Sequence, residues 1–257
     1  MLKKRPFPSR LLLTVALLTL TSFIFCTRLQ AVTPAPDGGY PNFNTAEGDN
    51  ALLKLTGGEG NTAVGWATLS SVTNGSQNTA VGSIALAFAT GQGNTAVGSN
   101  ALDALSTGNY NTATGFQALQ NGQTGSYNTA TGYQSLQNSA SNYNTATGSF
   151  SLNQDTSGYG NTANGFSVLY SNTTGYYNTA NGYQSLYSNM IGVQNVASGL
   201  AALYNNTKGG NNTALGSEAL YSNTTGSSNI ALGNNAGVSL TTGSNNIDIG
   251  NTGVAGE

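Results

Sequence analysis

The chain has 257 residues, only 6% of them charged and 35 of them glycine, with Asn, Thr, Ser and Ala filling most of the remainder. A mixture this far from the globular average leaves either disorder or a fold held by backbone pairing. There is no histidine, which removes the commonest general base, the serine triad and most zinc sites; no catalytic, cofactor-binding or metal-binding residues are expected, and the protein reads as a non-enzyme.

The N-terminus begins with Lys3, Lys4, Arg5 and Arg10 ahead of an apolar run from Leu11 to Cys26, followed by Leu29, Gln30 and Ala31. That is the layout of a secretory signal peptide over residues 1–31. The 16-residue run is short for a membrane span, so cleavage near Ala31 and a secreted or cell-surface mature chain without membrane insertion are expected. Cys26 is not expected to be lipidated, because Phe25 stands where a small residue is needed. Removing residues 1–31 takes away the only cysteine and leaves two basic residues, Lys54 and Lys208, against nine acidic ones, a net charge of about −7. Such a surface cannot neutralise phosphates, so nucleic acid is excluded as a partner.

Residues 32–42 hold Pro34, Pro36 and Pro41 and read as a linker. After Pro41 there is no proline, so every later amide is free to join a ladder. From residue 43 to 250 an internal repeat decides the fold. Thirteen asparagines, from Asn44, Asn61 and Asn111 through Asn161 and Asn212 to Asn246, recur at steps of 17, or 16 at Asn78–Asn94 and Asn128–Asn144. Four residues after each stands a glycine, among them Gly65, Gly115, Gly165 and Gly216. Alanine holds the second place after the asparagine in twelve of thirteen units, and leucine the eighth place in eleven. A 17-residue unit is too short for a helical hairpin, and this much glycine and asparagine opposes helix.

The pattern predicts an all-β, single-stack parallel β-roll, or β-solenoid, of about thirteen 17-residue turns, each with two short strands joined by tight bends. The recurrent glycine marks a bend needing positive φ or close backbone approach, and the asparagine a side-chain ladder running from turn to turn. Alanine shares the inward face with the asparagine and glycine while threonine faces out, giving a narrow interior of Ala and Leu. At about 4.8 Å per strand the rod is about 58 Å long. Residues 251–257 form a C-terminal tail.

Asn229-Ile230-Ala231-Leu232-Gly233 and Asn212-Thr213-Ala214-Leu215-Gly216, each followed by two residues and a small-apolar pair, resemble the head repeats of trimeric autotransporter adhesins, the YadA-like head. The resemblance covers residues 44 to about 250. It implies a left-handed coil, a homotrimer, and adhesion to host or matrix surfaces through a glycan or extracellular protein ligand. The period near 17 is longer than the family repeat, and neither a heptad stalk nor anchor strands are recognised after Gly250, so a complete autotransporter is not expected.

Surface columns carry the functional expectations. Tyr170, Tyr187, Tyr204 and Tyr221 recur at the ninth place after the asparagine; Tyr110, Tyr127, Tyr143 and Tyr177 stand immediately before it; Phe116, Tyr133, Phe166 and Tyr183 hold the fifth place. These ladders either stiffen the roll or offer an aromatic strip to a glycan or protein. The threonine column of the first place becomes Thr-Ala-Thr at Thr112–Thr114, Thr129–Thr131 and Thr145–Thr147, which resembles the arrays of ice-binding solenoids. Toward the C-terminus the same outward positions drift to Leu215, Ile230, Leu232, Ile247 and Ile249, as a subunit contact would require. Glu47, Asp49 and Glu59 gather at the first turns and read as a solvated end of the rod rather than a glycosidase pair. The expected function is a secreted or surface adhesion or structural head, with a polysaccharide- or ice-binding solenoid as the alternative.

Overall fold

The computed structural model describes residues 40–253; the expected signal peptide, most of the linker and the end of the C-terminal tail lie outside the described residues. The chain winds into one parallel sheet of thirteen three-residue strands stacked in sequence order. They are β1 (Thr45–Glu47), β2 (Thr62–Val64), β3 (Thr79–Val81), β4 (Thr95–Val97), β5 (Thr112–Thr114), β6 (Thr129–Thr131) and β7 (Thr145–Thr147). The series continues with β8 (Thr162–Asn164), β9 (Thr179–Asn181), β10 (Val196–Ser198), β11 (Thr213–Leu215), β12 (Ile230–Leu232) and β13 (Ile247–Ile249). Each strand pairs in register with the next, as in Thr62↔Thr79, Ala63↔Ala80 and Val64↔Val81.

The register survives the two short repeats. Thr79 still faces Thr95 and Thr129 still faces Thr145. The missing residue comes out of the loop before the next asparagine: the ladder asparagine reaches a loop carbonyl 14 residues ahead at Asn61–Gly75 but 13 ahead at Asn78–Gly91 and Asn128–Ser141. A one-residue slip inside a strand would turn its alanine outward, so the loop absorbs the change.

Each turn has one strand, not the two expected from the repeat. The segment after the glycine bend cannot extend, because its sixth- and eighth-place residues are left-handed: Gln117 and Leu119 have φ of 56° and 51°. The eighth-place leucines all share this conformation, with φ between 49° and 53°. A non-glycine residue there costs about 1 kcal/mol or more. In return the leucine side chain enters the core while its amide reaches the next turn, Leu86 N–H donating to Ala101 O at 2.9 Å.

The fourth-place glycines take the bend. Gly115 and Gly132 have φ of +135° and +131°, and a Cβ on Gly132 would lie 2.7 Å from the carbonyl of Gly148 in the next turn. From Gly48 to Gly216 the bends stack too closely for any side chain.

The interior is half amide. Ala63 and its equivalents and the leucines are buried as expected, but the repeat asparagines are buried beside them. At each of the twelve steps the asparagine backbone N–H donates to the Oδ1 of the asparagine one turn before, at 2.8–3.1 Å. Its Nδ2 reaches forward to the carbonyl of the loop glycine, as in Asn111 Nδ2 to Gly125 O at 2.8 Å. The amides thus satisfy backbone groups that the loops would otherwise bury unpaired.

Candidate functional site

The strands build one outward face. Their first and third residues point to solvent while the central alanine points in, so Thr112, Thr114, Thr129, Thr131, Thr145 and Thr147 form two parallel exposed rows. The same face is aliphatic at its ends, with Val64, Val81 and Val97 toward the N-terminus and Leu215, Ile230, Ile247 and Ile249 toward the C-terminus, the last two 69% exposed.

Aromatic columns flank this face. On the side entering each strand, Tyr110, Tyr127 and Tyr143 stack with ring centroids 5.3 and 5.4 Å apart and stand exposed. The column breaks at Gly160, where Tyr159 and Tyr176 stack instead at 5.0 Å, with Tyr177 edge-on to both.

Past the glycine bend, Phe116 stacks on Tyr133 at 5.7 Å and Phe166 on Tyr183 at 5.4 Å. Between these pairs the fifth place is Ser149, and the neighbouring Phe150 fills the gap, edge-on to Tyr133 and to Phe166 at 5.1 and 5.9 Å. Phe150 also meets Tyr170 at 6.4 Å, so the fifth- and ninth-place columns, separate in sequence, share one side of the rod.

The ninth-place column is continuous but differently exposed. Tyr170, Tyr187, Tyr204 and Tyr221 stack at 5.1–5.3 Å with nearly parallel planes, and all four are half-buried. Stacking covers both faces of the inner rings, leaving their edges and hydroxyls to solvent. Burial, then the adjacent Tyr187, Tyr221 and Tyr183, raise the Tyr204 phenol above its ordinary 10. Before Tyr170 the same column holds Gln120, Gln137 and Asn153.

These amides form a second, solvent-side network that single-residue motifs do not announce. Gln134 Nε2 donates to Gln117 Oε1 at 2.6 Å, Gln137 Nε2 to Gln120 Oε1 at 3.1 Å, and Asn153 Nδ2 to Gln137 Oε1 at 3.2 Å. Gln117 and Gln120 only accept; their own Nε2 groups donate to nothing among the described residues.

A further interior column lies at the eleventh place. It is apolar at Leu55, Val72, Ala89 and Leu105, passes through Gly122, Ser139 and Asp155, and becomes a second amide ladder at Asn172, Asn189, Asn206 and Asn223. From Asn189 onward each Nδ2 of that ladder donates to the Oδ1 of the asparagine before it at 2.8–2.9 Å. At the junction Asp155 is fully buried and accepts from Ser139 Oγ at 2.7 Å, Ser141 Oγ at 3.2 Å, Asn172 Nδ2 at 2.8 Å and Gly158 N–H at 3.1 Å. Desolvation still wins and pushes its carboxyl from 3.8 up to about 6. The 17-residue recurrence of these four asparagines was the available signal, hidden by the stronger ladder beside it.

The turn residues Asn61, Asn111, Asn161 and Asn212 are all buried, and Gly65, Gly115, Gly165 and Gly216 all have φ between +130° and +144°. They build the stack and do not face a ligand. Glu47, Asp49 and Glu59 are exposed at the first turns. Among the described residues no three His, Cys, Asp or Glu side chains gather to hold a metal ion, and no helix is long and apolar enough to cross a membrane. Comparison with known protein families, with curated proteins and with solved structures finds no match to the chain.

Proposed function

We propose that this protein is a non-catalytic adhesion head: a secreted or surface-held rod that binds a glycan or extracellular protein along its flank and associates with copies of itself, as a homotrimer, through the strand face. The observation that carries the reading is the pair of exposed aromatic columns beside a parallel, in-register sheet. Rigid aromatic area with polar tips, held on a scaffold whose backbone is already paired, suits recognition without reorganisation. The motif resemblance to YadA-like heads supports the same reading, and the aliphatic ends of the strand face support self-association, since isolated rods rarely leave such rows in water.

Two measurements test it. Sedimentation of the protein should give a trimer, and Ile230→Asp with Leu232→Asp should give smaller species; a parent that sediments as a monomer removes the trimer. Immobilised protein should retain ligands from a panel of glycans and matrix proteins, and failure on every member removes adhesion. The paired threonine rows favour one further reading, an ice-binding face, and thermal hysteresis in the purified protein is its test.

A further inference from the structure

The rod carries almost no charge over its middle. Between Asp103 and Glu218 the only acidic or basic residues are Asp155, which is buried, and Lys208, which lies in the loop after Asn206. Within this stretch one patch sets a row of rings beside a network of side-chain amides. Phe116, Tyr133 and Phe150 form a row of half-exposed to exposed rings, and Gln117, Gln134 and Gln120 lie alongside in an amide network whose terminal Nε2 groups are unspent. Where Phe150 meets Tyr133 edge-on, the stacking that hides ring faces elsewhere is interrupted.

We propose that this amide–aromatic patch, on the turns that carry β5, β6 and β7, is a binding site for an uncharged linear polysaccharide lying along the rod axis. The inference rests on the reading of the rod as a binding head and names its ligand class and place. Sugar rings present C–H faces to aromatic rings and hydroxyls to amides that donate and accept, which is the donor and acceptor set available here. An acidic polymer finds no cation in the patch, and nucleic acid finds none for its phosphates. An extended peptide that adds as a strand needs a run of free backbone groups, and along this flank the run is broken by groups already bonded to neighbouring turns, among them Gln117 N–H, Gln134 N–H, Phe150 N–H, Phe116 O and Tyr133 O. From Phe116 to Phe150 the patch spans two steps of the stack, about 10 Å, enough for about two sugar rings in a row.

The test is adsorption of the protein to cellulose and to chitin, and affinity electrophoresis in amylose, with alginate as the acidic comparator. Binding to at least one uncharged polymer and not to alginate is expected. Gln117→Ala with Gln120→Ala, which removes unspent donors from the surface, and separately Tyr133→Ala, should each weaken that binding about 30-fold, equivalent to about 2 kcal/mol. Melting curves of the amide variant should match the parent, and Phe88→Ala, at an exposed ring in the turn after β3 and outside the patch, should bind as the parent does. No binding to any uncharged polymer, equal binding to alginate, or an equal loss with Phe88→Ala overturns the site. Retention of a matrix protein without any polysaccharide overturns this inference and leaves the adhesion head standing; retention of nothing at all removes both.

Discussion

Replacing Asp155 by asparagine should stabilise the protein at neutral pH, by an amount the structure sets. The carboxylate has four hydrogen-bond donors, yet its pKa is about 6 because burial outweighs them. In the unfolded chain the same group titrates near 3.8. A folded pKa above the unfolded one means that this residue's contribution is fully present below pH 4 and is lost as pH rises through 6. About two pH units at 1.36 kcal/mol each puts the loss at about 3 kcal/mol by pH 7. Asparagine has the same shape and no charge, and it is the residue that the next four turns use at this place. Its Oδ1 can keep the bond from Asn172, and the Ser139 and Ser141 hydroxyls can rotate to accept from its Nδ2. Urea unfolding of parent and variant, followed by far-ultraviolet circular dichroism at pH 4 and pH 7, reads the effect. The variant should gain about 3 kcal/mol at pH 7 and little at pH 4. A variant no more stable than the parent at pH 7, or a gain of equal size at both pH values, would refute the reasoning.

Three other substitutions probe the stack. Gly132→Val forces a side chain into a φ of +131° with the next bend's carbonyl 2.7 Å from its Cβ, and a loss of about 2 to 4 kcal/mol is expected in the same assay; an unchanged melting curve would remove the bend from the list of constraints. Asn111→Ala leaves the Asn128 amide and the Gly125 carbonyl buried without partners, which should cost about 3 kcal/mol or more. Full stability of that variant would show that water replaces the ladder. Tyr187→Ala with Tyr204→Ala removes two half-buried, stacked rings and should lower the melting temperature by the worth of their packing, about 0.5 to 1.5 kcal/mol per ring pair beyond buried area. Ligand retained per folded molecule should stay as in the parent; its loss at unchanged stability would instead place the ligand on this ladder.

The residues themselves determine the architecture because each turn repeats the same physical problem. Asn111, Ala113 and Gly115 recur, turn after turn, as the only types that bury an amide, fit a narrow interior and permit the bend, so a period of 17 with a parallel in-register stack was legible without coordinates. The single strand per turn was not. The left-handed backbone at Gln117 and Leu119 is a conformation that local preference disfavours in both residue types, and only the stacking of one turn on the next holds it there. The same limit applies to the surfaces. Tyr170 and Tyr110 look equivalent as recurring tyrosines, but packing half-buries the first column and leaves the second in solvent. Phe150, one place out of phase in its repeat, reads as an irregularity until the coil brings it against Tyr133, Phe166 and Tyr170. Nothing in the repeat marks Asp155 as buried; three side chains and the Gly158 backbone N–H close over it only in the folded stack. Periodicity reports what each turn shares; burial and lateral contact depend on distances between turns, which only the folded stack supplies.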